Sequence, residues 1–471
     1  MKKTILTVII CVVTICTALS QNRYSSWDVF QYSGPGLKQI GWLNTKHSRD
    51  IKSSLWSVGC ETLDREYAKF SIYKDYVGEL GVKHARLQSG WAKCEKEKGR
   101  YNFAWLDSCV YGLNEQGVRP WICLCYGNPV YGSGIRLGTG VAALSHSEEG
   151  MTAWLKYVKA TVERYKSVVN EWEIWNEPYG QEEDYAPLLI KTAELIKNIQ
   201  PDAIILGETL WNIKSPNIKV LFDALKAENK QHLVDYWAYH PYGKNPDDCY
   251  PILDEFIALM KSYSTDYEVY QGEVGCPSQL EWTHAMSYYP WTEISQAKWD
   301  IRRMAGDRVR NIPCSIFTII DLHYYNMLQS FGLIRANLLH EIIYKRPSYY
   351  GVQHMASFFD NTVEAVGELE YISNAYRKIT VAGFNKDKNP LALIWYKDQI
   401  PGDEMSWDLI SLTIRNTTFK DPVYVEMISG KVFELNSSDW ENKGNDAIFK
   451  KLPVWDSVIM IAERSQVSFK E

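Results

Sequence analysis

The chain has 471 residues, 46% of them hydrophobic and 23% charged, with a formal net charge of −6. A chain of that length and composition buries a large core, which excludes intrinsic disorder and a disulfide-held miniature fold and points to more than one domain. It has no block of Lys and Arg to follow a phosphate backbone, so nucleic acid is excluded as a partner.

Met1-Lys2-Lys3 is basic, residues 4–18 are nearly all apolar or small, and Ala18-Leu19-Ser20 offers a small-residue cleavage site. This is the layout of a bacterial export signal over residues 1–20, with an apolar run too short for a membrane span. It predicts a secreted or periplasmic protein with no membrane partner after cleavage. Cys16 raises the alternative of an outer-membrane lipoprotein, disfavoured by the bulky Ile15 before it. The eight cysteines beyond the signal read as buried free thiols, because a chain this large needs no disulfides and most of them fall in or beside predicted elements. Cys123 and Cys125 lack the paired spacing of a zinc site, so no metal and no other cofactor is expected.

Residues 21–50 contain Gly34-Pro35-Gly36 and little periodicity, and read as an N-terminal lead-in. From 51 to 360 short apolar runs alternate with helical patterns. Strands are predicted at 54–59, 82–88, 119–126, 170–178, 203–206, 234–242, 267–275 and 314–320. Helices are predicted at 66–80, 104–116, 148–166, 185–199, 219–227, 252–263, 294–310 and 349–359. Eight such units predict a (β/α)₈ barrel. Between 361 and 471 the pattern changes to short alternating runs separated by Asn, Asp, Gly and Ser, which predicts an antiparallel β-sandwich.

Two carboxylates stand out within this order. In the fourth strand, alternation sets Trp172, Ile174 and Asn176 on one face and Glu171, Glu173 and Trp175 on the other, with Glu177 at the C-terminal end before Pro178. At least one of Glu171 and Glu173 is expected to face helices or an ion pair. Glu273 ends the seventh strand, bracketed by Gly272 and Gly275, which leave room for something to approach it. The 96 positions between Glu177 and Glu273 equal three βα units of about 30 residues, and in a closed barrel all strand C-termini open onto one face. Two carboxylates converging on one cleft is the arrangement that hydrolysis of a glycosidic bond requires.

Other candidates surround the same mouth. Arg86 shares a strand face with Val82 and His84 and is expected to point inward, where its charge would hold Glu273 ionised. Tyr131 lies in an aperiodic loop at 127–134, a candidate substrate wall, and Trp282 in a ring-rich connection at 276–292. The 18 tryptophans and 31 tyrosines exceed what a core needs, and a pyranose packs its C–H face on such rings. The substrate predicted by these features is an oligosaccharide or polysaccharide.

Asn176-Glu177-Pro178 closing a strand, with a glycine-bracketed Glu273 three strands later, resembles the retaining glycoside hydrolases of clan A, and most of all glycoside hydrolase family 39, the β-xylosidase and α-L-iduronidase family. The likeness spans 51–360 as an order of elements and is sharp at Asn176, Glu177 and Glu273. It implies Glu177 as acid/base, Glu273 as nucleophile and Asn176 as partner of the sugar 2-hydroxyl. On this reading the charge of Glu273 across the cleft would keep Glu177 protonated. His240-Pro241-Tyr242 resembles the His-x-Tyr that ends strand six in family 5, where either side chain can orient the nucleophile. Clan members commonly place a Trp after strand eight, but here Asp321, His323 and Tyr324 follow, of which Asp321 and His323 would contact a polar sugar substituent or pair with each other. The alternatives are a non-catalytic carbohydrate-binding barrel, for which loss of one carboxylate would be the mark, and an endo-acting family 5-like glycanase.

Overall fold

Strand β1 (Lys38–Leu43) precedes eight parallel strands that close on one another in sequence order. These are β2 (Trp56–Gly59), β3 (His84–Gln88), β4 (Arg119–Leu124), β5 (Glu171–Ile174), β6 (Ile204–Glu208), β7 (Tyr236–Tyr239), β8 (Glu268–Val274) and β9 (Cys314–Ile316). This computed structural model describes residues 34–136, 140–209 and 214–470, so the export signal and the question of Cys16 lie outside the described residues. β9 pairs with β2 through Trp56 and Cys314, which completes the (β/α)₈ barrel. The carboxylates Glu177 and Glu273 follow its fourth strand and end its seventh, as the spacing predicted.

The barrel interior is a packed plug below and a charged chamber above. Trp121, Leu206 and Tyr270 form their own apolar cluster, capped by Ile204 and Tyr236, and separate from the large core between strands and helices. Trp121 lies beside Arg86 in the β3–β4 register, and its ring sits 5.5 Å beneath the guanidinium carbon. Apolar rings therefore floor the chamber, and water cannot reach Arg86 from below.

The C-terminal region is a sandwich of an eight-stranded and a four-stranded antiparallel sheet. β1, which the sequence read as lead-in, is a member of the larger sheet, between Lys431–Glu434 and Phe469–Lys470. Strands at Tyr371–Ser373, Trp440–Lys443, Asp446–Val454 and Phe469–Lys470 were not predicted. Asp446–Val454 escaped because Lys450, Lys451 and Pro453 break its alternation. Residues 321–345, which lie between the last predicted strand and the last predicted helix, form two hairpins, Leu322–Tyr324 with Met327–Gln329 and Ile334–Ala336 with Ile342–Lys345. Runs of three or four residues are too short for a period-2 pattern to register.

The helix Glu293–Val309 is buried along nearly all its length between barrel and sandwich. Its charged side chains are paired, Lys298 across the interface with Asp456 at 2.7 Å and Arg302 within the barrel with Asp247 at 2.5 Å, while Arg302 also donates to the Gln399 carbonyl of the sandwich at 3.0 Å. All eight cysteines of the described residues are buried and free. Among the described residues no helix is long and apolar enough to cross a membrane.

Candidate active site

The site is organised by Arg86, fully buried at the centre of β3. Its Nε donates to Glu173 at 2.8 Å, Nη1 to Glu61 at 2.9 Å and to Glu273 at 2.6 Å, and Nη2 to the Asn176 side-chain oxygen at 2.7 Å. One cation is thus shared by three carboxyl groups. Glu173 and Glu171 both face the barrel interior, the latter 3.3 Å from His84, so each makes an ion pair and neither faces the helices.

Strict alternation would have put Asn176 on the side opposite Glu173. The strand stops at Ile174, and Trp175 (φ 68°) and Glu177 (φ 50°) adopt left-handed backbone. That break sends the Trp175 ring outward against Trp154, 5.6 Å away, and swings Asn176 in to meet Arg86. Left-handed Trp and Glu residues are costly, by about 1–3 kcal/mol each, and persist only where surrounding packing imposes them. Here the fully buried Trp175 supplies that packing.

Glu273 and Glu177 face each other across the chamber, with one carboxylate oxygen of each within 4.8 Å of the other. Their surroundings differ. Glu273 is 13% exposed at its side chain and is held on both oxygens, Oε2 by Arg86 and Oε1 by the Tyr242 hydroxyl at 2.9 Å. Burial and the charge of Glu273 push the Tyr242 phenol up, so it stays protonated and donates. Glu177 is 42% exposed, on the solvent side, and its Oε1 lies 2.9 Å from His240 Nδ1.

His240 is the cation of the second half of the site. Burial opposes its charge, but Glu208, Glu273 and Glu177 outweigh burial and push the imidazolium up to about 10. Burial would likewise raise Glu177; the His240 hydrogen bond and charge prevail and hold its carboxyl below the usual range. The expectation that Glu273 governs the protonation of Glu177 is therefore corrected: His240 does. Burial, then the charge of Glu273, push Glu61 up to about 8. Glu173, Glu208 and His240, like Glu177, His240 and Glu273, present donor atoms within 4.8 Å of one another. Arg86 and the imidazolium stand among these carboxylates, so the geometry reads as an ion-pair network.

The glycines beside Glu273 make room for the protein itself. A Cβ on Gly275 would stand 1.8 Å from the Phe317 carbonyl oxygen, and one on Gly272 would stand 3.3 Å from His240 Nε2.

Solved structures with this architecture were found at low sequence identity. A family 39 glycoside hydrolase from the gut symbiont Bacteroides cellulosilyticus superposes with a TM-score of 0.62 at 18% identity, over 88% of this chain and 81% of that one. The likeness is one of fold, a (β/α)₈ barrel joined to a β-sandwich. A family 30 endoxylanase from Clostridium papyrosolvens matches with a TM-score of 0.54 at 13% identity, over 91% and 98% of the two chains. A family 51 α-L-arabinofuranosidase from Bifidobacterium longum gives 0.52 at 11%, again over 91% and 98%. No protein-family model matches the chain, and no curated protein is similar to it.

The remaining predicted residues divide. Asn176 and Tyr242 join the carboxylate network. Asp321 does not: it is buried in a two-pronged pair with Arg346, at 2.7 and 2.9 Å, and takes backbone N–H bonds from Gly332 and Ala336. His323 faces His340, with ring centres 4.9 Å apart, and neither of its ring nitrogens has a hydrogen-bond partner, so it does not pair with Asp321. Its neighbour Tyr324 takes the position after strand eight, packed on Tyr67 at 4.4 Å and His284 at 5.1 Å. Tyr131 stacks on Trp91 at 5.4 Å and donates to Glu95 at 2.5 Å, within the wall of the barrel rather than beside the carboxylates. Trp282 is 65% exposed and meets Tyr288 edge-on at 6.0 Å, on the outer rim.

Sequence reasoning missed Glu61, Glu208, Tyr126 and Tyr179. Tyr126 accepts from the Asn176 amide at 2.7 Å, and Tyr179 donates to Glu208 at 2.7 Å. Glu61 lies two residues beyond β2 and Glu208 is the last residue of β6, so a search for every acidic residue at a strand's C-terminal end would have found both.

Proposed function

We propose that the protein is a retaining glycoside hydrolase acting on oligosaccharides or polysaccharides. One observation carries this reading: two carboxyl groups meet across the mouth of the barrel, one held by a cation and a phenol, the other facing solvent beside an imidazolium. Carboxyl groups about 5–5.5 Å apart permit direct attack and retention, whereas about 6.5–9.5 Å is needed to seat a water for inversion. A closest oxygen separation within 4.8 Å favours the first.

Glu273 forms a bond to the anomeric carbon while the bond to the leaving oxygen breaks and Glu177 gives that oxygen a proton. In the second half, Glu177 takes a proton from water, the water oxygen bonds to the anomeric carbon, and Glu273 leaves as carboxylate. Arg86 and Tyr242 position Glu273 and stabilise it as the departing carboxylate. Asn176 keeps one amide N–H beyond its bond to Tyr126, enough for one sugar hydroxyl. The fold likeness to glycoside hydrolase structures supports the same reading.

The test is a panel of aryl glycosides followed by trapping with 2-deoxy-2-fluoro analogues of the accepted sugar. Digestion and mass spectrometry should place the trapped sugar on Glu273, and the first-formed product should keep the anomeric configuration of the substrate. Inverted product, or a label on another carboxylate, overturns the mechanism.

A further inference from the structure

His240 bridges two carboxylates from different strands. Its Nδ1 lies 2.9 Å from Glu177, and its Nε2 lies 3.5 Å from Glu208 at the end of β6. Glu208 is fully buried and is itself fixed, its Oε1 receiving the Tyr179 hydroxyl at 2.7 Å. Glycine at position 272 of β8 leaves room for the ring, since a Cβ there would stand 3.3 Å from Nε2. Nothing in the double-displacement scheme uses Glu208, yet a buried carboxyl facing an imidazole is costly without a purpose.

We propose that Glu208 is a positioning residue for the acid/base step: it keeps a proton on His240 Nε2, so that the Nδ1 proton is the one shared with Glu177. This rests on the reading of Glu177 as acid/base. In the free protein the imidazolium donates to the Glu177 carboxylate. As the glycosidic bond breaks, the Nδ1 proton passes to Glu177, which delivers that same proton to the leaving oxygen, and the imidazole keeps its Nε2 proton toward Glu208. In the second half, the proton from water returns through Glu177 to Nδ1. The pair Glu177–His240 therefore titrates as a unit that carries one proton, and the alkaline limb of the rate profile reports its loss. The groups facing the ring are Glu177, Glu208, Glu173 and Glu273, with Tyr179 on Glu208 and Arg86 and Glu61 one step further. Glu208 is the carboxylate that adds most to the imidazolium, ahead of Glu273 and Glu177, and the charge of His240 in turn opposes the burial that pushes Glu208's own carboxyl well up.

The test compares pH–rate profiles of the wild type and Glu208→Gln with an aryl glycoside whose leaving group needs protonation and with a dinitrophenyl glycoside, which needs none. Without the charge at position 208 the alkaline limb should move to lower pH by about one unit or more. Turnover of the demanding substrate should fall about tenfold relative to the dinitrophenyl one. Glu208→Asp, which draws the charge back from Nε2, should shift the limb the same way by less, and it carries the test if Glu208→Gln does not fold. Unshifted limbs in both variants mean that Glu208 does not act through His240 and overturn the inference while leaving the glycosidase reading intact. A wild type that hydrolyses no glycoside overturns that reading, and the inference with it.

Discussion

Arg86 and Arg346 are both fully buried arginines near the barrel's open end, and they solve opposite problems. Arg346 meets Asp321 through two parallel bonds and spends its remaining donors on the Gly332 carbonyl and Glu293, while Asp321 fills its own oxygens with backbone N–H groups. Donors and acceptors match, and the pair locks the hairpins after strand eight. Arg86 is surrounded by Glu61, Glu173 and Glu273 at once, and Glu61 Oε2 and Glu173 Oε1 are left without hydrogen-bond partners. A structural pair is saturated; this cluster carries surplus negative charge beside an opening. The difference is what separates a support from a site, because an unmatched carboxylate can give a proton or an electron pair to a ligand.

The contrast breaks most visibly at the carboxylates themselves. Glu273→Ala should lower turnover by more than the ~10⁴-fold upper range of a general acid. Its melting temperature should be unchanged or higher, since the substitution relieves crowding around Arg86. Asp321→Asn should do the reverse, losing about 3–5 kcal/mol of stability by stranding Arg346 while the folded fraction keeps its KM. Calorimetry and steady-state kinetics on both variants read the two outcomes, and an Asp321→Asn protein with a changed KM at full stability would return Asp321 to the substrate site.

Tyr242→Phe sharpens the comparison at smaller scale. It removes one hydrogen bond to a charged oxygen, worth about 1.5–3 kcal/mol, so kcat should fall about 10- to 100-fold with little change in thermal stability. The last comparison lies in pH. The His240 imidazolium is raised from its ordinary 6.5 to about 10, so its contribution to stability is complete below about 6.5 and is lost as pH rises through about 10. Glu61, raised to about 8, acts in the same direction, its contribution full below its ordinary 4.5 and lost through about 8. Thermal unfolding followed from about pH 6 to pH 10 should therefore show declining stability, flatter in His240→Asn and Glu61→Gln. Equal slopes in wild type and variants would show that these groups do not titrate as the geometry requires.

Much of this was legible without coordinates. The order of strands and helices, the places of Glu177 and Glu273 and the inward direction of Arg86 follow from alternation and spacing, which local chain geometry enforces, while the bond between Tyr242 and Glu273 was implied by the resemblance of His240-Pro241-Tyr242 to family 5. The fates of Asp321 and Glu173 were not legible. Asp321 looks like a polar residue at a barrel mouth until Arg346 folds back onto it, 25 positions later. Glu173 looks like the outward face of a strand expected to run to 178, but the strand stops at Ile174.

The amino-acid sequence by itself determined which residues end the barrel strands, because hydrophobic period and chain length leave a (β/α)₈ arrangement little choice. Only the tertiary structure decided how those ends are wired. One left-handed residue at Trp175 reverses the alternation, and ion pairs between different strands set which carboxyl group holds a proton. Periodicity is a property of neighbours along the chain, while charge balance inside a barrel is a property of neighbours in space.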